Sequence, residues 1–150
     1  MNHRLIDAQT DDEAWLEQLR RDVYQQLFVA TWGGWDEARH VRHFAECWRL
    51  GHIRIVTVDG VRVGMIQLFD TADAIEVGEI QIAPNHQNRG IGAALLRDTM
   101  ARAGRARRAV RLSVGLKNDG ALRLYERLGM RHVARTDTHN HLAWQPPADA

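Results

Sequence analysis

Apolar positions recur at helical intervals in two early stretches of the chain and alternate with polar ones through much of the remainder. From Glu13 to Val29 the set Trp15, Leu16, Leu19, Val23 and Leu27 repeats about every 3.6 residues, the stripe of an amphipathic helix. Thr10 and Glu13 have the spacing of a capping box that would open it. Thr31-Trp32-Gly33-Gly34 breaks the pattern, and Asp36 to Arg49 resumes it through Val41, Phe44, Ala45 and Trp48 until Gly51. His3–Asp7 ahead of these helices is a short strand candidate.

The period then shortens. Ile53-Arg54-Ile55-Val56-Thr57-Val58 is a β-branched run closed by Asp59-Gly60, a strong hairpin signal, and Val61 to Phe69 returns as its partner. Ala74 to Ala83 forms a third run that ends at Pro84 and should join the same antiparallel sheet. Ile91 to Ala103 predicts a helix, Ala109 to Val114 a strand, and Gly120 to Leu128 a helix with Gly129 beyond its end. Met130 to Ala134 and His139 to Trp144 complete the set as strands. Hairpins first and strand-helix-strand units later imply an α/β (α+β mixed) fold with a central mixed, mostly antiparallel sheet of six to seven strands and helices on both faces. No repeat or long linker divides the 150 residues, so 1–145 are expected to form a single domain, with 146–150 a loose tail.

Composition narrows the function classes. At 45% hydrophobic and 26% charged residues the chain has the balance of a globular protein, and no apolar run approaches a membrane span. The first residues, with His3, Arg4 and Asp7, carry no secretory pattern, and a lone Cys47 cannot close an internal disulfide, so a cytoplasmic setting is expected. A net charge of +1 gives no global field for nucleic acid. Arg97, Arg102, Arg105, Arg107, Arg108 and Arg111 do crowd one stretch, either as a solvated face or as a phosphate-facing patch.

The densest chemistry lies in Ile82-Ala83-Pro84-Asn85-His86-Gln87-Asn88-Arg89-Gly90-Ile91-Gly92-Ala93-Ala94-Leu95-Leu96. A strand ends, a polar loop follows, and a helix opens among glycines. Such a turn aims unpaired N–H groups outward at the positive end of a helix dipole, and two linked phosphates suit it best. A Walker loop needs a lysine that is missing, and a dinucleotide fingerprint needs a glycine where Leu95 stands. What remains is Gln-x-x-Gly-x-Gly in Gln87, Gly90 and Gly92.

That segment resembles the acetyl-CoA pyrophosphate loop of the GNAT superfamily of N-acetyltransferases. A second element agrees with it: Asn118-Asp119-Gly120-Ala121-Leu122-Arg123-Leu124-Tyr125-Glu126-Arg127-Leu128-Gly129-Met130 is similar to the family's Asn…Ala…Leu-Tyr…Leu-Gly-Phe run, with Met130 in place of Phe. The resemblance covers residues 52 to 145 and implies a GNAT-like fold with acetyl-CoA as co-substrate. It also implies transfer of an acetyl group to a primary amine by direct attack. On that resemblance the N–H groups of Gln87, Asn88, Arg89, Gly90, Ile91 and Gly92, with Ala93 behind, hold the pyrophosphate. Ile82 and Ala83 pair with the pantetheine arm, and an N–H near Ile82 polarises the thioester. Asn118, with Ala121 in the same element, binds the cofactor or an ordered water, and Tyr125 protonates the leaving thiolate. Dimers are common among such proteins.

The proton acceptor is open between Glu79 and Glu76, which alternate on the strand leading to the acetyl site and face opposite sides unless a bulge intervenes. On the acceptor side Asp36 and Glu37, beside Trp32 and Trp35, could hold a cationic amine against aromatic faces, although the tryptophans serve equally as loop anchors. His139 is a further substrate-side candidate. His40, His43 and Cys47 share a helix face, and His139 with His141 a strand face, but nothing completes a zinc site, and the chemistry needs no metal. The acceptor is expected to be a small-molecule amine or a peptide N-terminus, with no nucleic acid and no membrane as partner. The rival function is a CoA-binding regulatory module that has lost the reaction.

Overall fold

The computed structural model describes residues 2–148. Its elements run β1 (His3–Asp7), α1 (Glu13–Trp32), α2 (Glu37–Leu50), β2 (Ile53–Val58), β3 (Val61–Asp70), β4 (Ala74–Ile82), α3 (Ile91–Arg105), β5 (Ala109–Gly115), α4 (Asp119–Arg127), β6 (Arg131–Arg135) and β7 (His139–Trp144). The seven strands form one mixed sheet in the order β1-β2-β3-β4-β5-β7-β6. The β4–β5 pair is parallel, whereas β1–β2, β2–β3, β5–β7 and β6–β7 are antiparallel. Contacts gather the chain into two compact units, Met1–Gln67 with Glu79–Gly92 and Leu68–Gly78 with Ala93–Ala150. Of the expected tail, residues 146–148 carry neither helix nor strand, and 149–150 lie outside the described residues.

In the first unit, the stripe read from the sequence is the core: Leu16 and Leu19 of α1 pack with Phe44 of α2, Ile53 and Ile55 of β2 and Met65 of β3. The start of α1 at Glu13 is as expected, but its capping pair and its end differ. The capping box sits one step earlier, where Gln9 N–H donates to Asp12 Oδ2 at 2.8 Å, because a 3-10 turn over Thr10–Asp12 precedes the helix. Asp12 is also held by Arg62 at 2.7 Å. At the other end α1 continues through Thr31 and Trp32, since the break needs the left-handed backbone of Gly33 (φ 79°), whose N–H caps Val29. Asp59 and Gly60 both adopt positive φ (52° and 80°), as a tight hairpin between β2 and β3 requires.

In the second unit, Leu95, Leu96, Met100 and Ala103 form the buried stripe of α3. Val110, Leu112 and Val114 are the buried alternates of β5, and Leu112 and Val114 pair with Leu142 and Asn140 of β7. The last strand pair starts a residue later than its hydrophobic run suggests, at Arg131, and is irregular between His132 and Ala134. Met130 is instead buried at the end of the α4 cap.

Gly64 of β3 sits where an added Cβ would lie 2.2 Å from the Gln81 carbonyl oxygen and 2.9 Å from Ile82 Cδ1. The carbonyl belongs to a strand backbone that cannot give way cheaply. Gly64→Ala is therefore expected to destabilise the protein by about 1–3 kcal/mol. Gly120→Ala, in α4 with open space around it, should instead stabilise by about 0.5–1 kcal/mol. Urea denaturation distinguishes the two; equal midpoints would contradict the close strand approach.

Candidate active site

The strand-to-helix turn is built by local backbone chemistry. After β4, Pro84–His86 makes one 3-10 turn, with His86 N–H donating to Ala83 O at 2.8 Å and Gln87 N–H to Pro84 O at 3.3 Å. The Gln87 side chain then reaches back, its Nε2 donating to Ile82 O at 2.9 Å, and so ties the loop to the strand end. Asn88 and Gly90 take left-handed conformations (φ 63° and 79°), which asparagine tolerates and glycine adopts freely. Arg89 between them is exposed, and Ile91, buried at 3% exposure, anchors the start of α3. The N–H groups of Ile91, Gly92 and Ala93 open that helix and have no acceptor within it. Left-handed residues ahead of such an end concentrate main-chain donors and positive potential, the chemistry of an anion site.

The end of β4 sorts its own main-chain groups. Ala83 N–H already donates to Val63 O of β3 at 2.8 Å, so of the pair Ile82 and Ala83 the latter's amide is engaged. Strand alternation turns the N–H of Ile82 toward the opposite edge. On that edge, the ladder with β5 runs from Ala74↔Ala109 to Val77↔Leu112, although β4 continues to Ile82.

Three residues after the exposed Glu76 on β4, Glu79 is half-buried. Its Oε2 accepts from Tyr24 Oη of α1 at 3.4 Å and from Gln81 Nε2 at 3.4 Å, two long contacts. Desolvation raises its pKa above the ordinary carboxylate value, while the Arg20 cation, Gln81 and Tyr24 oppose the shift. Arg20 is itself buried on α1, its guanidinium 5.2 Å from the centre of the Tyr24 ring and its Nη1 2.8 Å from His40 Nδ1. Sequence reasoning missed Arg20, Tyr24 and Gln81. The available signal was a charge inside an apolar stripe, since Arg20 follows Leu16 by one helical turn.

In the second unit, Tyr125 of α4 is 8% exposed. Gly129 (φ 94°) ends the helix as Met130 N–H donates to Tyr125 O and Gly129 N–H to Glu126 O, at 3.1 and 3.0 Å. This paired cap gives the Leu128-Gly129-Met130 run a physical meaning: it fixes the turn that carries Tyr125. Asn118 is the N-cap of α4, its Oδ1 accepting from Ala121 N–H at 3.3 Å, a task its position before a helix could have signalled. Glu76 is exposed, pairs across strands with Arg111 and stands 3.8 Å from its guanidinium. Arg111 also meets Asp73, and Arg102 and Arg108 both meet Asp70, so this part of the arginine run is matched by carboxylates.

The remaining candidates divide. Trp32 is 67% exposed at the end of α1. Trp35 is half-buried, its ring against Phe28 and His40 and its indole N–H donating to Glu37 at 2.9 Å, which makes it a loop anchor. Asp36 caps α2 by accepting from Arg39 N–H at 3.0 Å, and Glu37 also pairs with Arg21. His139 Nδ1 contacts Thr138 Oγ1 at 2.8 Å. Cys47 is a free thiol pushed up to about 12, chiefly by burial. Among the described residues no group of three or more His, Cys, Asp or Glu side chains is placed to hold a metal. Among the described residues no helix is long and apolar enough to cross a membrane.

Comparison with known proteins supplies independent findings. The profile of the Acetyltransferase (GNAT) family matches residues 13–130. A curated relative, an uncharacterized N-acetyltransferase of Methanocaldococcus jannaschii, is 35% identical, with the match covering 72% of this chain and 55% of the relative. The chain thus spans about half the length of that relative. Among solved structures, the PaiA N-acetyltransferase of Thermoplasma acidophilum in complex with coenzyme A is similar at a TM-score of 0.74 and 15% identity, over 97% of this chain and 99% of that one. The ribosomal-protein-S18-alanine N-acetyltransferase of Escherichia coli is similar at 0.71 and 18%, over 99% and 97%. Identities this low speak to the fold alone, but the profile match extends over most of the chain, from α1 through the glycine turn to Met130: the chain belongs to the GNAT family of acetyltransferases.

Proposed function

We propose that this protein transfers an acetyl group from acetyl-CoA to a primary amine by direct attack within a ternary complex. The observation that carries the reading is the turn from β4 into α3, with left-handed Asn88 and Gly90 ahead of the first helical turn, whose N–H groups have no acceptor within the helix. Its main-chain donors suit the diphosphate of coenzyme A, and Gln87 keeps the loop against the strand that takes the pantetheine arm. The amide of Ile82, on the edge of β4 facing away from β3, polarises the thioester carbonyl as charge develops on it.

Proton traffic is divided between two groups. Tyr125, a phenol that ordinarily keeps its proton at neutral pH, delivers it to the departing thiolate. Glu79 accepts the proton of the amine, directly or through water. Between the two carboxylates on β4 it is the better candidate, because Glu76 faces Arg111 whereas Glu79 is desolvated and its contacts to Tyr24 and Gln81 are long. The acceptor is a small-molecule amine or a peptide N-terminus. The rival reading, a CoA-binding module without catalysis, requires only the loop.

Thiol release from acetyl-CoA with a panel of amines separates the readings. Turnover is expected with at least one amine, and Tyr125→Phe should lower kcat by about 10²-fold or more while leaving cofactor affinity within a few-fold. Cofactor binding with no thiol release across the panel would favour the non-catalytic module. The pH profile tests the base. Because the pKa of Glu79 is raised, kcat/KM should fall as pH drops through a value above the ordinary 4.5. Glu79→Gln should remove that acid limb and lower kcat/KM by about 10²–10⁴-fold. An unchanged limb in the variant would assign the proton to another group.

A further inference from the structure

A continuous chain of side chains from three elements of the first unit ends on Glu79. It begins at His40 on α2, which is 2% exposed, and passes to Arg20 on α1, 7% exposed, through the 2.8 Å contact between Nδ1 and Nη1. An arginine only donates, so His40 Nδ1 accepts, and the ring proton resides on Nε2, which lies 3.7 Å from Glu17 Oε1. A protonated His40 would set N–H against N–H, so the contact requires the neutral ring. Burial, followed by the charges of Arg20 and Arg21, lowers the His40 pKa and favours that form, while Glu37 and Glu17 oppose it. From Arg20 the chain crosses the face of the Tyr24 ring, whose hydroxyl donates to Glu79.

Two features set this apart from a simple stabilising ion pair. A guanidinium placed for stability alone gains most from a bidentate carboxylate fork, yet here one nitrogen is given to an imidazole and the cation is laid against a phenol ring. Among the described residues, the carboxylate at the end of the chain makes long polar contacts, to Tyr24 and Gln81, which leave lone pairs for an incoming proton. The Cys47 thiol of α2, pushed up to about 12 chiefly by burial and further by Glu79, stays neutral and adds no competing charge at neutral pH.

We propose that Arg20 is a positioning residue for Glu79: clamped between His40 and the Tyr24 ring, it holds the phenol and the positive charge that keep the carboxylate oriented to take the acceptor's proton. The inference rests on Glu79 as the base. It extends that reading from one strand residue to a device shared by α1, α2 and β4, and makes Arg20 responsible for the pH range in which the base works.

The test compares Arg20→Met, which keeps the stem and removes the cation, with Arg20→Lys and Tyr24→Phe, each checked by thermal unfolding. In Arg20→Met the acid limb of kcat/KM should move to higher pH, with activity about tenfold below wild type on the acid side and converging toward it on the alkaline side. Arg20→Lys should recover part of the shift, and Tyr24→Phe should change kcat more than KM. An activity loss equal at every pH, or a lysine variant that behaves like the methionine variant, would overturn the proposal and leave Arg20 a packing residue. If the wild type acetylates nothing, the functional reading fails, yet Arg20 is still read directly by a 13C NMR titration of the Glu79 carboxyl. A titration midpoint unmoved in Arg20→Met and in Arg20→Lys would refute the positioning role.

Discussion

A peptide N–H that leaves a strand and has not yet found a helical acceptor must be satisfied by something, and the turn from Asn88 to Gly92, beyond the Gln87 amide that Pro84 already engages, collects several of them in one place. Its geometry depends on two left-handed residues, Asn88 and Gly90, and on the Gln87 side chain that fastens the loop to Ile82. The rest of the first unit supports that turn. Ala83 is pinned to Val63, Gly64 allows β3 to approach Gln81 closely, and buried Ile91 sets the first turn of α3. Main-chain donors are insensitive to side-chain identity, which accounts for a loop whose recognisable letters are mostly glycines and a glutamine that bonds backbone.

The polar side chains divide along the same economy. In the second unit, carboxylates and guanidiniums satisfy one another at the surface, where such pairs contribute little and steer less. The first unit has such pairs as well, Arg21 with Glu37 and Arg49 with Glu46 among them, but the group around Glu79 is buried and unequal: a cation set against an imidazole and a phenol ring, a neutral histidine, and a half-buried glutamate with long contacts. Burial magnifies each of these interactions, so desolvation raises the Glu79 pKa and the charge of Arg20 on α1 opposes that shift.

Much of this was legible in the chain, for identifiable reasons. Period-2 and period-3.6 patterns are imposed by burial, so the stripe Leu16, Leu19 and Val23, the Asp59-Gly60 hairpin and the order of strands could be read directly. The end of α1 was less legible, because it is decided by the left-handed Gly33 and not by the apolar repeat, and the cap ahead of its start is the Gln9–Asp12 pair instead of Thr10 and Glu13. The anion loop was readable because glycine positions report backbone geometry. The network behind Glu79 was not, since it joins residues 20, 24, 40 and 79 that only folding brings together. Asn118 and Asp36 show the reverse: residues with chemistry to offer that the fold employs as helix caps.

The most direct test of the account is titration calorimetry comparing coenzyme A with pantetheine, which shares the arm but lacks the diphosphate. If the main-chain donors from Asn88 to Gly92 are the principal hold, coenzyme A should bind saturably and at least about tenfold more tightly, a difference of about 1.4 kcal/mol. Equal affinities for the two, or no heat from coenzyme A with folded protein, would contradict it.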